Sequence, residues 1–194
     1  MTDEAKLPTV LSHSMSRVLA ISGSLRSGSI NTEVLKAARI LAREPLEIEL
    51  SNIIGTLPHF NSDLESSLPP AIVSFRESVA NADGLLISSP EYARGIPGSL
   101  KNALDWLVAD LKFPGKPVAL ISTAARAHEA QAALRLVLRT MSAHIIEDAC
   151  LTVDLLGQKI AAPAIACTPL YAQPLAAALA ALQGAMHTNQ ASVR

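Results

Sequence analysis

Apolar runs and amphipathic stretches alternate along this chain. Val18-Leu19-Ala20-Ile21 is continuous and apolar, as a strand buried on both faces would be. Beyond a run of small and hydroxylic residues, Ile30, Val34, Ala37, Ala38 and Leu41 recur at helical spacing and predict a helix ending near Arg43-Glu44-Pro45. Leu46, Ile48 and Leu50 then alternate with Glu47 and Glu49, the pattern of a strand with one wet face, as at a sheet edge. Residues 51–70 read as a long loop centred on Leu57-Pro58-His59-Phe60-Asn61-Ser62-Asp63, and loops of that length are often functional. Ile72, Phe75 and Val79 mark a second helix, which Asn81-Ala82-Asp83-Gly84 turns into the apolar strand Leu85-Leu86-Ile87-Ser88. A third helix opens with Pro97 in its first turn, and Leu100, Ala103, Leu104, Leu107 and Val108 give it an apolar face.

Pro114-Gly115-Lys116-Pro117 is a loop before the apolar strand Val118-Ala119-Leu120-Ile121-Ser122. Ala130, Ala133, Leu134, Val137, Leu138 and Met141 then continue as an amphipathic helix. A last strand is expected between Ile145 and Val153. The Ala-rich stretch from Ala161 to Ala166 reads as a loop, and Leu175, Ala178, Leu179, Leu182 and Met186 form the closing helix. Residues 1–16 are expected to be a disordered tail, 17–187 one domain, and 188–194 a frayed end. Apolar central strands with a half-wet second strand fit an open parallel α/β sheet of order 2-1-3-4-5. In such a sheet the ligand crevice opens beyond the carboxyl ends of strands 1 and 3, where the chain reverses direction.

Two chemically informative stretches fall at those ends. The first is Ser22-Gly23-Ser24-Leu25-Arg26-Ser27-Gly28-Ser29-Ile30-Asn31, where hydroxyls, an amide and a guanidinium gather beside the positive end of a helix. That composition suits a single terminal phosphate. Gly23 and Gly28 match the outer glycines of a P-loop, but Ser29 stands where its Lys belongs, and Leu25 interrupts the dinucleotide fingerprint. The competing reading is an ordinary helix cap with Ser29 as N-cap. The second stretch is Pro90-Glu91-Tyr92-Ala93-Arg94-Gly95-Ile96-Pro97-Gly98. A third crossing follows at Thr123-Ala124-Ala125-Arg126-Ala127-His128.

Composition narrows the partners. A chain of 194 residues makes one domain that buries about 70% of its unfolded surface. The net charge of -1 argues against a nucleic-acid binder and lacks the strong acidity of a dedicated electron carrier. No segment reaches 18 uncharged apolar residues, and the first sixteen have no basic flank with an apolar core, so a cytoplasmic protein that does not enter a membrane is expected. Cys150 and Cys167 form no C-x-x-C, the histidines have no metal-ligand spacing, and no metal is expected. Both thiols are expected reduced and buried.

The residues Gly23-Ser24-Leu25-Arg26 with Ser29 and Asn31, then Leu57-Pro58, Asn61 and Asp63-Leu64-Glu65, then Pro90-Glu91-Tyr92 and Pro97-Gly98-x-Leu100-Lys101-Asn102-Ala103-x-Asp105-Trp106, resemble the NADPH-dependent FMN reductase family over roughly residues 17 to 155. The resemblance implies a flavodoxin-like three-layer sandwich with a five-stranded parallel sheet. It implies FMN as cofactor and NADPH or NADH as reductant, with electrons passing to a small-molecule acceptor such as a quinone, an azo compound, a metal oxyanion or free flavin. The alternatives are an FMN-bound electron carrier or a non-catalytic flavin-binding protein.

As cofactor-binding residues the resemblance implies Ser24, Arg26, Ser29, Ile30 and Asn31 at the phosphate, and Pro90, Glu91, Tyr92, Ala93, Arg94 and Thr123 along the ring. Chemistry on a flavin asks little of side chains, so no catalytic residue is expected beyond Glu91 as a weak candidate for proton transfer. A homodimer or homotetramer is implied, with Trp106 and Phe113 as possible interface anchors. Two departures stand out. Ala93 replaces the usual Asn, and the third crossing lacks the usual glycines and carries Glu129 where an Arg usually lies. A carboxylate there does not favour a 2'-phosphate, which leaves NADPH and NADH both open, with Arg94 and Arg126 as candidates to compensate.

Overall fold

The computed structural model describes residues 15–192; residues 1–14 and 193–194, with most of the expected N-terminal tail and the tip of the C-terminal one, lie outside the described residues. The chain forms β1 (Ser16–Ser22), α1 (Ile30–Leu41), β2 (Leu46–Ser51), α2 (Pro70–Asn81), β3 (Gly84–Ser88), α3 (Gly98–Asp105), β4 (Pro117–Ser122), α4 (His128–Thr140), β5 (His144–Ile145), β6 (Leu151–Thr152), α5 (Ala162–Cys167) and α6 (Pro169–Ser192). The sheet is parallel in the order β2-β1-β3-β4-β5, with β6 also on β4, so the flavodoxin-like expectation holds.

Alternation along each strand builds a core on each face. Val18 and Ala20 pack with the layer of α1, α5 and α6, whereas Leu19 and Ile21 pack with α2, α3 and α4. At the edge, Leu46 and Ile48 of β2 are buried while Glu47 and Glu49 face solvent, as their alternation predicts. Ser16, expected in the tail, instead begins β1; it is buried, and its hydroxyl lies 3.0 Å from His187 Nε2.

Four expectations need correcting. The fifth strand is split: between β5 and β6 a short 3-10 turn over 147–149 bulges from the edge, where Glu147 meets Arg135 at 2.6 Å and Arg139 at 3.2 Å. In that gap the N-H of Leu120 is left to the Sγ of Cys150, a weak acceptor, at 3.3 Å. Residues 162–167 are a helix rather than a loop. Alanine favours helix, Pro163 fits a first turn, and the missing cap comes from afar, because the Ala162 N-H donates to Glu33 Oε2 at 2.8 Å. The third helix ends at Asp105, which turns Val108 out to solvent. The thiols are less buried than expected, Cys150 half-buried and Cys167 exposed.

The long loop after β2 is latched to α3. Trp106 Nε1 and Asn102 Nδ2 both donate to Pro58 O, at 2.8 and 3.0 Å, and Asn102 Oδ1 accepts from Phe60 N at 2.8 Å. Phe60 meets the Trp106 ring edge-on, with centroids 5.0 Å apart. Trp106 and Phe113 are therefore core residues of this chain, 0% and 1% exposed, and supply no interface anchor.

Candidate cofactor site

At the carboxyl ends of β1, β3 and β4 the chain leaves a cleft of about 340 Å³. Its first wall is the β1–α1 crossing. Gly23 N-H donates to Ser88 O at 2.8 Å, which holds the end of β1 against the end of β3. Glycine is needed there for a reason internal to the protein: a Cβ would lie 2.4 Å from Ser89 Oγ. Gly28, at φ +69°, supplies the left-handed turn that brings the chain into α1.

Asn31, in the first turn of α1, ties the ends of β3 and β4 to that helix. It is 4% exposed, and its Oδ1 accepts from Ser88 Oγ at 2.9 Å and from Thr123 Oγ1 at 3.1 Å. Thr32 Oγ1 donates to Ser22 Oγ at 2.9 Å, bracing the crossing from within.

Ser29 decides between the two readings of this stretch. It occupies the N-cap position with extended backbone, yet its hydroxyl makes no capping bond. The first-turn N-H groups of Ile30 and Asn31 have no partner within the helix. The guanidinium of Arg26 is exposed on the lining and has no ion pair among the described residues. Hydroxyl, amides, helix end and guanidinium are thus all free to meet an anion.

The second wall comes from the segment after β3. Ser89, Pro90, Glu91 and Tyr92 line the cleft, and Tyr92 is 51% exposed. Glu91 reaches across to α4, where its Oε2 accepts from Ala130 N at 3.0 Å. That carboxylate stands in for a cap that Ala127, at the N-cap position, cannot provide. Glu91 is thus held as a structural acceptor.

Ala93 and Arg94 do not line the cleft; every other expected site residue does. Both adopt left-handed backbone, φ 49° and 60°, at the centre of a turn closed by Tyr92 and Gly95. Asn tolerates that conformation better than Ala, which gives a backbone reason for the Asn usual at this position. Arg94 leans toward Glu129 at 3.9 Å instead.

Thr123, Ala124, Arg126 and Ala127 form the third wall, with Leu156 from the segment after β6. Ser89, Ala124, Ala127 and Leu156 had no signal in the sequence, since nothing local marks a small residue or a lone leucine as lining. Arg26 and Tyr92 share this one cleft. Two arginines and one already engaged carboxylate give it a basic balance suited to an anionic ligand, and the residues present fit an anionic cofactor such as FMN.

Comparison with known proteins agrees. The sequence profile of the NADPH-dependent FMN reductase family matches residues 16–157. An NAD(P)H-dependent FMN reductase of Pseudomonas aeruginosa is 44% identical over 112 residues, covering 56% of this chain and 60% of that protein. An NADPH:quinone oxidoreductase of Arabidopsis thaliana is 43% identical over 113 residues, 55% of this chain and 57% of that one. The matches thus span less than two thirds of either relative's length. Among solved structures, the flavoenzyme NAD(P)H:(acceptor) oxidoreductase FerB of Paracoccus denitrificans superposes with a TM-score of 0.71 at 29% identity, covering 90% of this chain and 98% of that one.

Proposed function

Because the chain belongs to the NADPH-dependent FMN reductase family, we propose that it is an FMN-dependent NAD(P)H oxidoreductase acting on a small acceptor such as a quinone. The observation that carries this reading is the cleft itself, where an uncommitted Ser29 hydroxyl, free first-turn amides and Arg26 face the wall built by Pro90 and Tyr92.

In this reading Ser24, Arg26, Ser29 and the N-H groups of Ile30 and Asn31 hold the phosphate, and charge-assisted bonds make Arg26 the strongest single contact. Pro90 and Tyr92 support the ring, while Glu91 fixes the start of α4 and so keeps the third crossing closed over the cleft. Bound there, FMN would supply the hydride acceptance from NAD(P)H and the two-electron donation to the acceptor. The chain's own part is to bind, orient and exclude water. Azo compounds, metal oxyanions and free flavin are further acceptors of the same class.

A cytoplasmic setting belongs to this reading and is supported by two free thiols. So does a homodimer or homotetramer, for which exposed apolar residues such as Val108 and Leu111 offer anchors. Among the described residues no helix is long and apolar enough to cross a membrane.

The test is a visible spectrum of the purified protein followed by NADH and NADPH oxidation with a quinone. Flavin absorbance and acceptor-dependent turnover are expected. A colourless protein that FMN cannot reconstitute would overturn the proposal.

A further inference from the structure

The cleft is lined by three side chains of charged type, Arg26, Glu91 and Arg126, and each stands differently toward its surroundings. Arg26 belongs to the first crossing, beside the uncapped start of α1, where an anionic phosphate finds its other partners. Glu91 is already matched: its Oε2 accepts from Ala130 N at 3.0 Å, at the positive end of α4. Arg126 is the charge left over. It comes from the third crossing, is exposed, and has neither ion pair nor hydrogen bond from its guanidinium among the described residues. Glu129, the acid nearest to it along the chain, leans toward Arg94 at 3.9 Å instead.

With FMN in the cleft, the phosphate answers Arg26 and the end of α1, Glu91 answers the end of α4, and Arg126 has no counterpart. Reduction supplies one. A nicotinamide delivers a hydride, which is two electrons and one proton, so a neutral flavin ring is left with one net negative charge and the nicotinamide with one positive. A cation lining the same cleft of about 340 Å³ therefore favours the reduced cofactor over the oxidised one, the more so where the cofactor has displaced water.

Resting on the flavoenzyme reading, we propose that Arg126 is the counter-charge of the reduced flavin. It stabilises the product of hydride transfer and raises the two-electron reduction potential of the cofactor. The first half-reaction becomes easier, and the second is narrowed to acceptors whose potential is higher still.

The experiment reads the midpoint potential of the FMN-loaded protein, reduced slowly by xanthine and xanthine oxidase beside a reference dye. No nicotinamide is present, so any contact of Arg126 with the reductant does not enter. Arg126→Gln should shift the balance from reduced to oxidised cofactor about tenfold, which for a two-electron couple is a fall of about 30 mV. Arg126→Glu, which reverses the charge, should roughly double that fall, and Arg126→Lys should keep nearly the parent potential. A series ordered by charge is what a merely structural side chain would not produce. Affinity for oxidised FMN, from fluorescence titration, should change little in all three and serves as the control on folding. Midpoints unmoved in the Gln and Glu variants would overturn the proposal. So would equal losses of affinity for oxidised and reduced cofactor, which mark a contact to the phosphate present in both. Either result leaves the flavoenzyme reading standing, whereas a protein that takes up no FMN would end that reading and the counter-charge with it.

Discussion

Two strand-to-helix crossings face each other across the cleft and differ in what holds the start of the helix that follows. The β1–α1 crossing is braced by its own residues: Ser22 and Thr32 bond one another, Gly28 makes the turn, and Asn31 binds outward to Ser88 and Thr123. The β4–α4 crossing has one brace of its own, Ser122 Oγ donating to Ala124 O at 3.0 Å, but beyond it is mostly alanine, and its N-cap, Ala127, has no polar side chain to offer. The start of α4 is held from outside by Glu91. A segment that carries its own polar groups becomes both scaffold and ligand site, whereas one that borrows them is a wall whose position depends on a neighbour.

The largest effect should come from Asn31→Ala, which leaves the Ser88 and Thr123 hydroxyls buried without an acceptor. About 3 kcal/mol of stability should be lost in urea unfolding, within the range for unsatisfied buried groups. Loss of less than about 0.5 kcal/mol would mean that the braced crossing is no scaffold. Arg26→Ala should weaken FMN binding by roughly 1.5 to 3 kcal/mol with little change in the urea midpoint, since the guanidinium has no partner among the described residues.

On the opposite side, Glu91→Ala should cost about 1 kcal/mol, as loss of a helix cap does, and Glu91→Gln, which keeps an oxygen acceptor, should recover most of it. Equal damage to stability from both would point away from capping, and turnover abolished by Gln alone would restore Glu91 as a proton donor. Ala93→Gly, relieving a left-handed alanine, should stabilise by about 1 kcal/mol, read from the thermal midpoint.

The smallest effect concerns the other borrowed cap. Burial tends to raise the Glu33 pKa, but the bonds from Lys36 and from Ala162 N-H outweigh it and hold the carboxyl below its usual value. A depressed carboxylate stabilises the fold above its unfolded pKa, and that contribution disappears as pH falls through the folded one. Glu33→Gln should therefore flatten the acid side of the stability curve by about 1 kcal/mol or less, measured by urea unfolding from pH 6 down to pH 3.

The same contrast explains what could be read from residues alone. Sheet order followed from the half-wet alternation of Leu46 to Leu50 between buried runs, because burial pattern is a local property of a strand. The phosphate end was legible because its hydroxyls, amide and guanidinium are contiguous from Ser22 to Asn31. Helix α5 was missed because its cap, Glu33, is far away in sequence, and the borrowed cap of α4 was missed in the same way. The broken fifth strand was invisible too: Ile145 to Val153 carries apolar residues enough for a strand, and only the pairing of Glu147 with Arg135 and Arg139 on the outer helix marks where it turns out. Trp106 looked available as an anchor because nothing in the sequence marks its partner, the carbonyl of Pro58.

The central claim is that the first crossing grips a phosphate, and the most direct test compares FMN with riboflavin, its analogue without that group, by flavin fluorescence titration. FMN should bind at least about a hundredfold more tightly, the equivalent of two charge-assisted hydrogen bonds. Equal affinity for the two would contradict the account.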